Sequence, residues 1–374
     1  MNYMKAELAE TILKGVMQWE DPGTVATELQ DIQIISEIKY DDYQQYTHGM
    51  RYIENLALWL RGFNTQEKRE CAYKFIKENL IFISEEEMRQ IVSVSFDIYM
   101  KPIILDLTKK YCQLNNITDI NERKELWKYF RRKTLFLGLS DGSHMDYFRR
   151  QNAALSNEQV FIHYDFSNEK AIDMLNELNE DKDIASIKLK YNIKENETFN
   201  TFFLIDDFSA SGKSYIRKEE QNWKGKIVKF FDRLDKVEYN KSGIEVHIIL
   251  YVATQKAVEY IRKQISIYKQ ENSINEIITI DAIQIIEPYI CDPDGIVFNL
   301  FKEDYEMHIN NGEDTYVDKH FTKGDCQYPF LGFDKCSLPL ILYHNTPNNS
   351  FPVLWHSWMN GHALFPRVTR HKES

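Results

Sequence analysis

Residues 201–214 read TFFLIDDFSASGKS, and this stretch decides the fold. The apolar run 201–205 predicts a buried strand, because the strands of parallel sheets are short and apolar throughout. Two adjacent carboxylates, Asp206 and Asp207, follow the strand directly. A helix is expected to open at Lys213 and Ser214, so the whole stretch predicts a strand, a loop and a helix in succession.

The loop after the carboxylates has the chemistry of a phosphate cradle. Small residues let backbone N–H groups converge on an anion, and the N-terminus of the expected helix adds a favourable dipole. Two carboxylates would repel a ligand made only of phosphate, but they suit hydroxyls or a bound Mg²⁺ beside one phosphate, as in ribose 5-phosphate. The residues predicted to bind the phosphate are Ser209, Ala210, Ser211, Gly212, Lys213 and Ser214.

The rest of the chain predicts an α/β fold. Short apolar runs lie at 134–139, 159–164, 244–252 and 283–286, and a helical pattern lies at 254–272. Strands that alternate with helices favour a mainly parallel sheet flanked by helices, which binds ligands beyond the carboxyl ends of its strands. Residues 1–130 are interpreted as a helical N-terminal region, in which residues 84–87 form a capping-box pattern that predicts the start of a helix. Residues 131–290 are interpreted as the α/β core and 291–374 as a C-terminal cap that contains a strand at 338–343.

A second loop follows the first apolar run of the core. Its small residues suit an anion-binding loop, with Arg149 or Arg150 adding positive charge and His144 as the candidate acid–base group. The family resemblance given below implies that the anion is pyrophosphate. A helix N-cap followed by a solvated basic helix face explains the same residues equally well. The loop residues concerned are Ser140, Asp141, Gly142 and Ser143.

Composition limits the class of protein. The chain has 46 basic and 57 acidic residues, a net charge of −11, which disfavours a general nucleic-acid binder. Its five cysteines include no C-x-x-C pair, so neither a zinc site nor a disulfide framework is indicated. The N-terminus does not resemble a secretory signal and no apolar run is long enough to span a bilayer. A cytoplasmic protein without a membrane segment is expected.

The stretch 202–214 resembles the nucleotide-binding signature of type I phosphoribosyltransferases: four apolar residues, two acidic residues, three variable positions, then Ser/Thr-Gly-x-Ser/Thr. In that family the acidic pair holds the ribose hydroxyls of phosphoribosyl pyrophosphate and the loop holds its 5-phosphate. The resemblance implies that Asp206 and Asp207 bind ribose hydroxyls and Mg²⁺ as catalytic residues. Ala210 stands where purine-salvage members have Asp, so purine salvage is disfavoured.

Most of the chain is similar to the PRTase-CE family, bacterial phosphoribosyltransferase-like proteins. The resemblance rests on residues 79–84, on Gly138 and Gly142-Ser143 with the helix after them, on the acidic-pair loop and on residues 342–355. It implies an effector of anti-phage defence, in some cases linked to a retron, whose partners include a reverse transcriptase and its noncoding RNA or a second copy of the chain. It also implies that Asn345, Thr346 and Asn348 line the site as a hood, although a self-capping turn accounts for them equally well.

Three functions stay open on the sequence. The favoured one is an enzyme that transfers or cleaves at the anomeric carbon of phosphoribosyl pyrophosphate or a nucleotide. The second is a nucleotide sensor that uses the same pocket without turnover. The third is a P-loop ATPase, because residues 211–214 match the end of G-x-x-x-x-G-K-[ST], although Asp207 stands where its first glycine is required.

Overall fold

The computed structural model describes residues 2–162, 168–193, 198–236, 243–310, 316–317, 319–357 and 362–368. The chain forms two compact units. One is the continuous segment Arg89–Ile286, and the other combines residues 1–88 with residues 287–374. The three-part division drawn from the sequence stays a prediction.

The continuous unit is built on a five-stranded sheet in which every neighbouring pair is parallel. The strands that form it are β2 (Thr134–Gly138), β3 (Val160–Ile162), β4 (Thr201–Ser209), β7 (Glu245–Thr254) and β8 (Ile277–Ile286). Their spatial order is β3-β2-β4-β7-β8, so the chain goes from β2 outward to β3 and returns to β4 on the other side of β2. The predicted parallel α/β fold is confirmed. Each of the five apolar runs contains a strand, and β4, β7 and β8 extend beyond the runs that predicted them. Residues 163 and 164 of the run 159–164 lie outside the described residues.

Helices flank this sheet. Those of the continuous unit are α6 (Lys101–Leu114), α7 (Ile120–Arg132), α8 (Met145–Gln151), α9 (Asn168–Glu180), α10 (Lys182–Tyr191), α11 (Lys226–Lys236) and α12 (Gln255–Glu271). The central strand β4 is covered on both faces. Phe202 packs on Phe230 of α11 with ring centroids 5.3 Å apart, and Phe203 stacks on Phe136 at the same separation on the other face. This two-sided burial explains why the strand is apolar throughout.

The predicted helix at Lys213 and Ser214 is wrong. The chain instead turns at residues 211–215 and forms a two-stranded antiparallel hairpin, β5 (Arg217–Glu219) and β6 (Asn222–Lys224), and the next helix begins only at Lys226. The reason is that Tyr215 and Ile216 are fully buried and tie the chain to the core, so it cannot continue as a surface helix.

The other unit is mainly helical. Its elements are α1 (Asn2–Met17), α2 (Pro22–Ile38), α3 (Tyr52–Arg61), α4 (Gln66–Asn79), β1 (Ile81–Ile83), α13 (Ile296–Asn310), β9 (Leu340–Leu342) and α14 (Pro352–Trp355). The short strand β1 pairs in parallel with β9 from the distant C-terminal part of the chain. The sequence predicted β9 but not β1.

The helix α5 (Glu85–Ser95) begins in this unit and leads into the other one. It opens on the predicted capping box, in which Ser84 and Glu87 exchange backbone–side-chain hydrogen bonds of 2.8 and 3.2 Å. Within the described residues, no helix combines the length and apolar character that a membrane crossing requires.

Candidate functional site

The strand order defines where a ligand is expected. In an open parallel sheet, ligands bind at the point where the strand order reverses, beyond the carboxyl ends of the two strands on either side of it. Here the reversal lies between β2 and β4. The two loops singled out in the sequence, residues 140–143 and 206–214, follow these two strands. The backbone bond from Leu139 N–H to the Ile205 carbonyl, 2.8 Å long, brings their starting points side by side.

Asp206 forms the buried centre of the site. Its side chain is fully buried. Ser140 Oγ donates to its Oδ1, while Tyr215 Oη, at 2.5 Å, and Lys226 Nζ both donate to its Oδ2. Lys226 also lies over the Tyr215 ring, 5.0 Å from the centroid. One carboxylate therefore ties together the loop after β2, the turn after β4 and the start of α11.

The electrostatics of Asp206 are set by burial and by one cation. Burial raises the pKa of the Asp206 carboxyl, Lys226 opposes this, and the charge of Asp207 adds to it. Burial also raises the pKa of Tyr215 well above its ordinary value. Tyr215 is therefore a protonated donor at any physiological pH.

Asp207 lies on the opposite face of the sheet from Asp206, because successive residues of a strand alternate. It is partly exposed and lies against the loop after β2: a Cβ built on Gly142 would be 2.8 Å from Cγ of Asp207. A larger residue at position 142 would force this carboxylate to move. The structure thus brings together Asp207 and the second predicted loop.

Tyr251 lies beside Asp207 on the neighbouring strand. The register pairs Asp206 with Leu250 and Phe208 with Val252, which places Tyr251 across from Asp207 on the same face. Tyr251 is fully buried, and within the described residues its hydroxyl has no hydrogen-bond partner. Burial, with the charges of Asp206 and Asp207, raises its pKa well above the ordinary value. An unpaired buried hydroxyl costs about 1–3 kcal/mol, so a ligand group that accepts from it gains affinity.

The turn at residues 209–214 has free backbone donors. Ser211 and Gly212 are buried, and within the described part of the chain no hydrogen bond engages the N–H groups of Ser211, Gly212 or Ser214. Gly212 has φ +75°, and a Cβ there would lie 2.8 Å from the Tyr260 ring, so the turn requires glycine. Thr254 Oγ1 fixes the base of the turn by donating to the Ala210 carbonyl at 2.6 Å. The turn therefore offers backbone donors where the cradle was predicted, without the helix dipole that was expected to assist it, and its role in binding phosphate stays a prediction.

The loop after β2 closes on itself before α8 begins. Ser143 is fully buried and donates through both Oγ and backbone N–H to the Ser140 carbonyl. Asp141 is exposed at the tip of the loop. His144 adopts the left-handed conformation, φ 51° and ψ 36°, directly before α8. Its role as an acid–base group stays a prediction.

Arg149 and the predicted hood residues Asn345, Thr346 and Asn348 form hydrogen bonds with other groups of the protein. The Arg149 guanidinium donates to Asp146 at 3.0 Å and to Asn157 at 3.2 Å. Thr346 belongs to the other unit, where it is fully buried and its hydroxyl bonds Tyr43 at 2.8 Å. In the same turn the Asn345 side chain accepts from the N–H groups of Thr346 and Val368, and the Asn348 carbonyl accepts from Phe333. These contacts fit the self-capping alternative, and ligand roles for these residues stay predictions.

Sequence reasoning missed three residues of the site: Tyr215, Lys226 and Tyr251. Each lies outside the two predicted loops, and folding alone brings Lys226 to Asp206 across 20 positions of chain. A signal for Tyr251 does exist, because a tyrosine stands near the end of an otherwise apolar run, IEVHIILYV.

Of the two carboxylates predicted to bind Mg²⁺, only one has surroundings that suit this role. Proteins hold Mg²⁺ through one or two carboxylates together with phosphates of the ligand. Asp207 fits this role. Asp206 does not, because its oxygens already accept from Ser140, Tyr215 and Lys226. Among the described residues, no three His, Cys, Asp or Glu side chains surround a common point.

Comparison with known proteins gives a family assignment. A protein-family model described as PRTase-CE matches residues 56–367, a range that includes both loops. No curated protein and no solved structure gives a significant match.

Proposed function

The chain belongs to the PRTase-CE family, and we propose that this phosphoribosyltransferase-like protein binds the ribose 5-phosphate part of phosphoribosyl pyrophosphate or of a nucleotide. One observation supports this proposal most strongly. The loops after β2 and β4 lie together where the strand order reverses, and the Asp207 carboxylate of one loop lies against Gly142 of the other. A carboxylate, a turn of free N–H groups and a second loop of small residues suit a ligand with hydroxyls and two separate phosphate groups.

The roles follow from the chemistry of each group. The N–H groups of Ser211, Gly212 and Ser214 bind the 5-phosphate. Asp207 accepts hydrogen bonds from the ribose hydroxyls and holds Mg²⁺ when the metal arrives with the ligand. Tyr251 donates to a ligand oxygen beside Asp207. Asp206 is a positioning residue, which acts by holding Ser140, Tyr215 and Lys226 in place.

The favoured reaction is transfer or cleavage at the anomeric carbon. The bond from C1 to pyrophosphate or to the base breaks, the electron pair leaves with that group, and the sugar becomes an oxocarbenium-like cation before an acceptor or water adds. The negative charge of Asp207 stabilises this cation, and the backbone of residues 140–143 contacts the leaving group. Such a reaction depends mainly on positioning and electrostatics, so a strong general base is not required.

Binding is tested by titration calorimetry of ribose 5-phosphate and phosphoribosyl pyrophosphate with Mg²⁺ present. We expect Asp207→Asn to weaken binding by at least about tenfold, since a hydrogen bond to a charged group is worth about 1.5–3 kcal/mol. The matched control is Asp232→Asn, which makes the same change on the exposed side of α11. If Asp207→Asn binds as tightly as the control, the proposed site is wrong.

Turnover is tested by exchange or release of labelled pyrophosphate from phosphoribosyl pyrophosphate. Release supports transfer or cleavage. Tight binding without release in any partner context supports the sensor. The hairpin that follows Lys213 argues against the P-loop alternative, because a P-loop leads directly into a helix. Tight ATP binding that Lys213→Met abolishes would restore it.

We further propose, on the family resemblance, that the protein is an effector in a bacterial anti-phage system that is linked to a retron. The test compares phage plating on cells that carry the complete system with the wild-type chain or with Asp207→Asn. Loss of protection in the variant, at equal protein level, is the expected result. Full protection by the variant would show that defence against the phage does not depend on this site.

A further inference from the structure

We propose that a groove between α6 and α7 binds a small apolar molecule that carries a carboxylate or another anionic group. The residues that form the groove are different from those of the two loops, and the inference does not depend on the proposed function.

The groove is formed by one face of each helix. On α6 the lining residues recur with the helical period from Lys101 through Leu105 to Cys112, and on α7 they recur from Ile120 through Lys124 to Trp127. The volume of the groove, which is open to solvent on one side, is about 540 Å³, within the range of small-molecule sites, about 300–1,000 Å³. All of these residues belong to the continuous unit.

The walls of the groove are apolar and in part uncovered. Ile120 is 59% exposed and Leu105 36% exposed, although both lie on the inner faces of packed helices. Cys112 is buried at the bottom. Large apolar side chains left open in a concave site are stabilised by an apolar ligand that removes them from water.

The rim of the groove carries only positive charge. Lys101, Lys109, Arg123 and Lys124 line it, and no carboxylate does. The chain as a whole has a net charge of −11, so a lining with four cations and no carboxylate differs in sign from the average of the chain. Lys101 pairs with Asp97 at 2.8 Å, but within the described residues Lys109 and Lys124 form no ion pair. The rim is therefore complementary to an anion.

The indole of Trp127 adds a directed donor. Its Nε1 is buried and, within the described residues, has no hydrogen-bond partner, while the Arg131 guanidinium covers the ring at 4.5 Å. Buried N–H groups are almost always paired, so we infer that a small movement of the indole brings this one to an acceptor atom of the bound ligand. Cations, one N–H donor and apolar walls together select an anionic head on an apolar tail.

The test uses three probes that share one tail and differ in charge: octanoate, 1-octanol and octylammonium. Titration calorimetry should show that octanoate binds most tightly, octanol less tightly and octylammonium most weakly. Lys109→Glu with Lys124→Glu should weaken octanoate binding by roughly tenfold or more and leave octanol nearly unchanged. The control is Lys229→Glu with Lys263→Glu, which makes the same charge change at exposed positions outside the groove. Trp127→Phe, which removes only the N–H donor and some ring area, should weaken octanoate several-fold.

Three outcomes would overturn the proposal. The first is equal binding of the three probes, or no binding of octanoate. The second is an equal effect of the groove double variant and its control. The third is a dimer in sedimentation experiments that Leu105→Glu dissociates, which would assign the groove to a second copy of the chain.

Discussion

The replacement Asp206→Asn tests the distinction between the two adjacent carboxylates. Asparagine keeps the size of the side chain but loses the charge, and it offers one acceptor oxygen to the three donors Ser140, Tyr215 and Lys226. Its amide group must then face at least one of these donors. We expect the variant to fold less stably than the wild type.

The magnitude follows from the burial of the pair. Breaking a buried ion pair costs about 3–5 kcal/mol. The Lys226 side chain is 29% exposed, so water recovers part of this cost, and we expect about 2–4 kcal/mol. For a unit of this size, Arg89–Ile286, each kcal/mol lowers the melting temperature by about 2–4 °C. The expected decrease is therefore roughly 4–16 °C.

Thermal unfolding followed by circular dichroism measures this decrease. The matched control is Asp207→Asn, the same change one residue on, where the carboxylate is partly exposed and the expected cost is below about 1 kcal/mol. Two results would refute the positioning role of Asp206. One is a melting temperature within about 2 °C of the wild type for Asp206→Asn. The other is an equal decrease for both variants.

Three further variants test the geometry of the site by ligand titration and thermal unfolding. Gly142→Ala should displace the Asp207 carboxylate and weaken phosphoribosyl pyrophosphate binding by at least about tenfold, whereas Gly15→Ala, where a Cβ meets nothing within 4 Å, should not. Tyr251→Phe removes an unpaired buried hydroxyl, so the free protein should be as stable as the wild type or more stable. The same variant should bind the ligand several-fold more weakly, and unchanged binding would exclude Tyr251 from the site. Gly212→Ala places a side chain at φ +75° against Tyr260, so we expect a loss of about 1–3 kcal/mol and of phosphate binding, and normal binding would argue against the cradle.

The sequence was most informative where local pattern and tertiary burial agree. Residues 202–205 are all fully buried on a strand with both faces covered, so a short apolar run was a sufficient signal. The capping box at Ser84 is equally local, and it begins a helix as predicted. The placement of the two loops followed from the rule that parallel sheets bind ligands beyond their carboxyl ends.

The sequence was least informative where distant residues decide the structure. The small residues before Lys213 favoured a helix start, but the burial of Tyr215 under Asp206 redirects the chain into a hairpin. Nothing local marks Lys226 as the partner of Asp206. The pairing of β1 with β9 joins residues about 260 positions apart, and no periodicity reveals it. Asp206 and Asp207 were given the same role because the strand was expected to end before them. The strand continues to Ser209, so the two side chains point to opposite faces of the sheet and have different surroundings.

The central claim is that the loops after β2 and β4 form one site for a ribose 5-phosphate ligand. Hydrogen–deuterium exchange with and without phosphoribosyl pyrophosphate and Mg²⁺ tests it directly, because both loops are read in one experiment. We predict that the ligand slows exchange at residues 140–144 and 209–214 together, and that Asp207→Asn removes both effects. Protection confined to one loop, or protection that persists in Asp207→Asn, would contradict the claim.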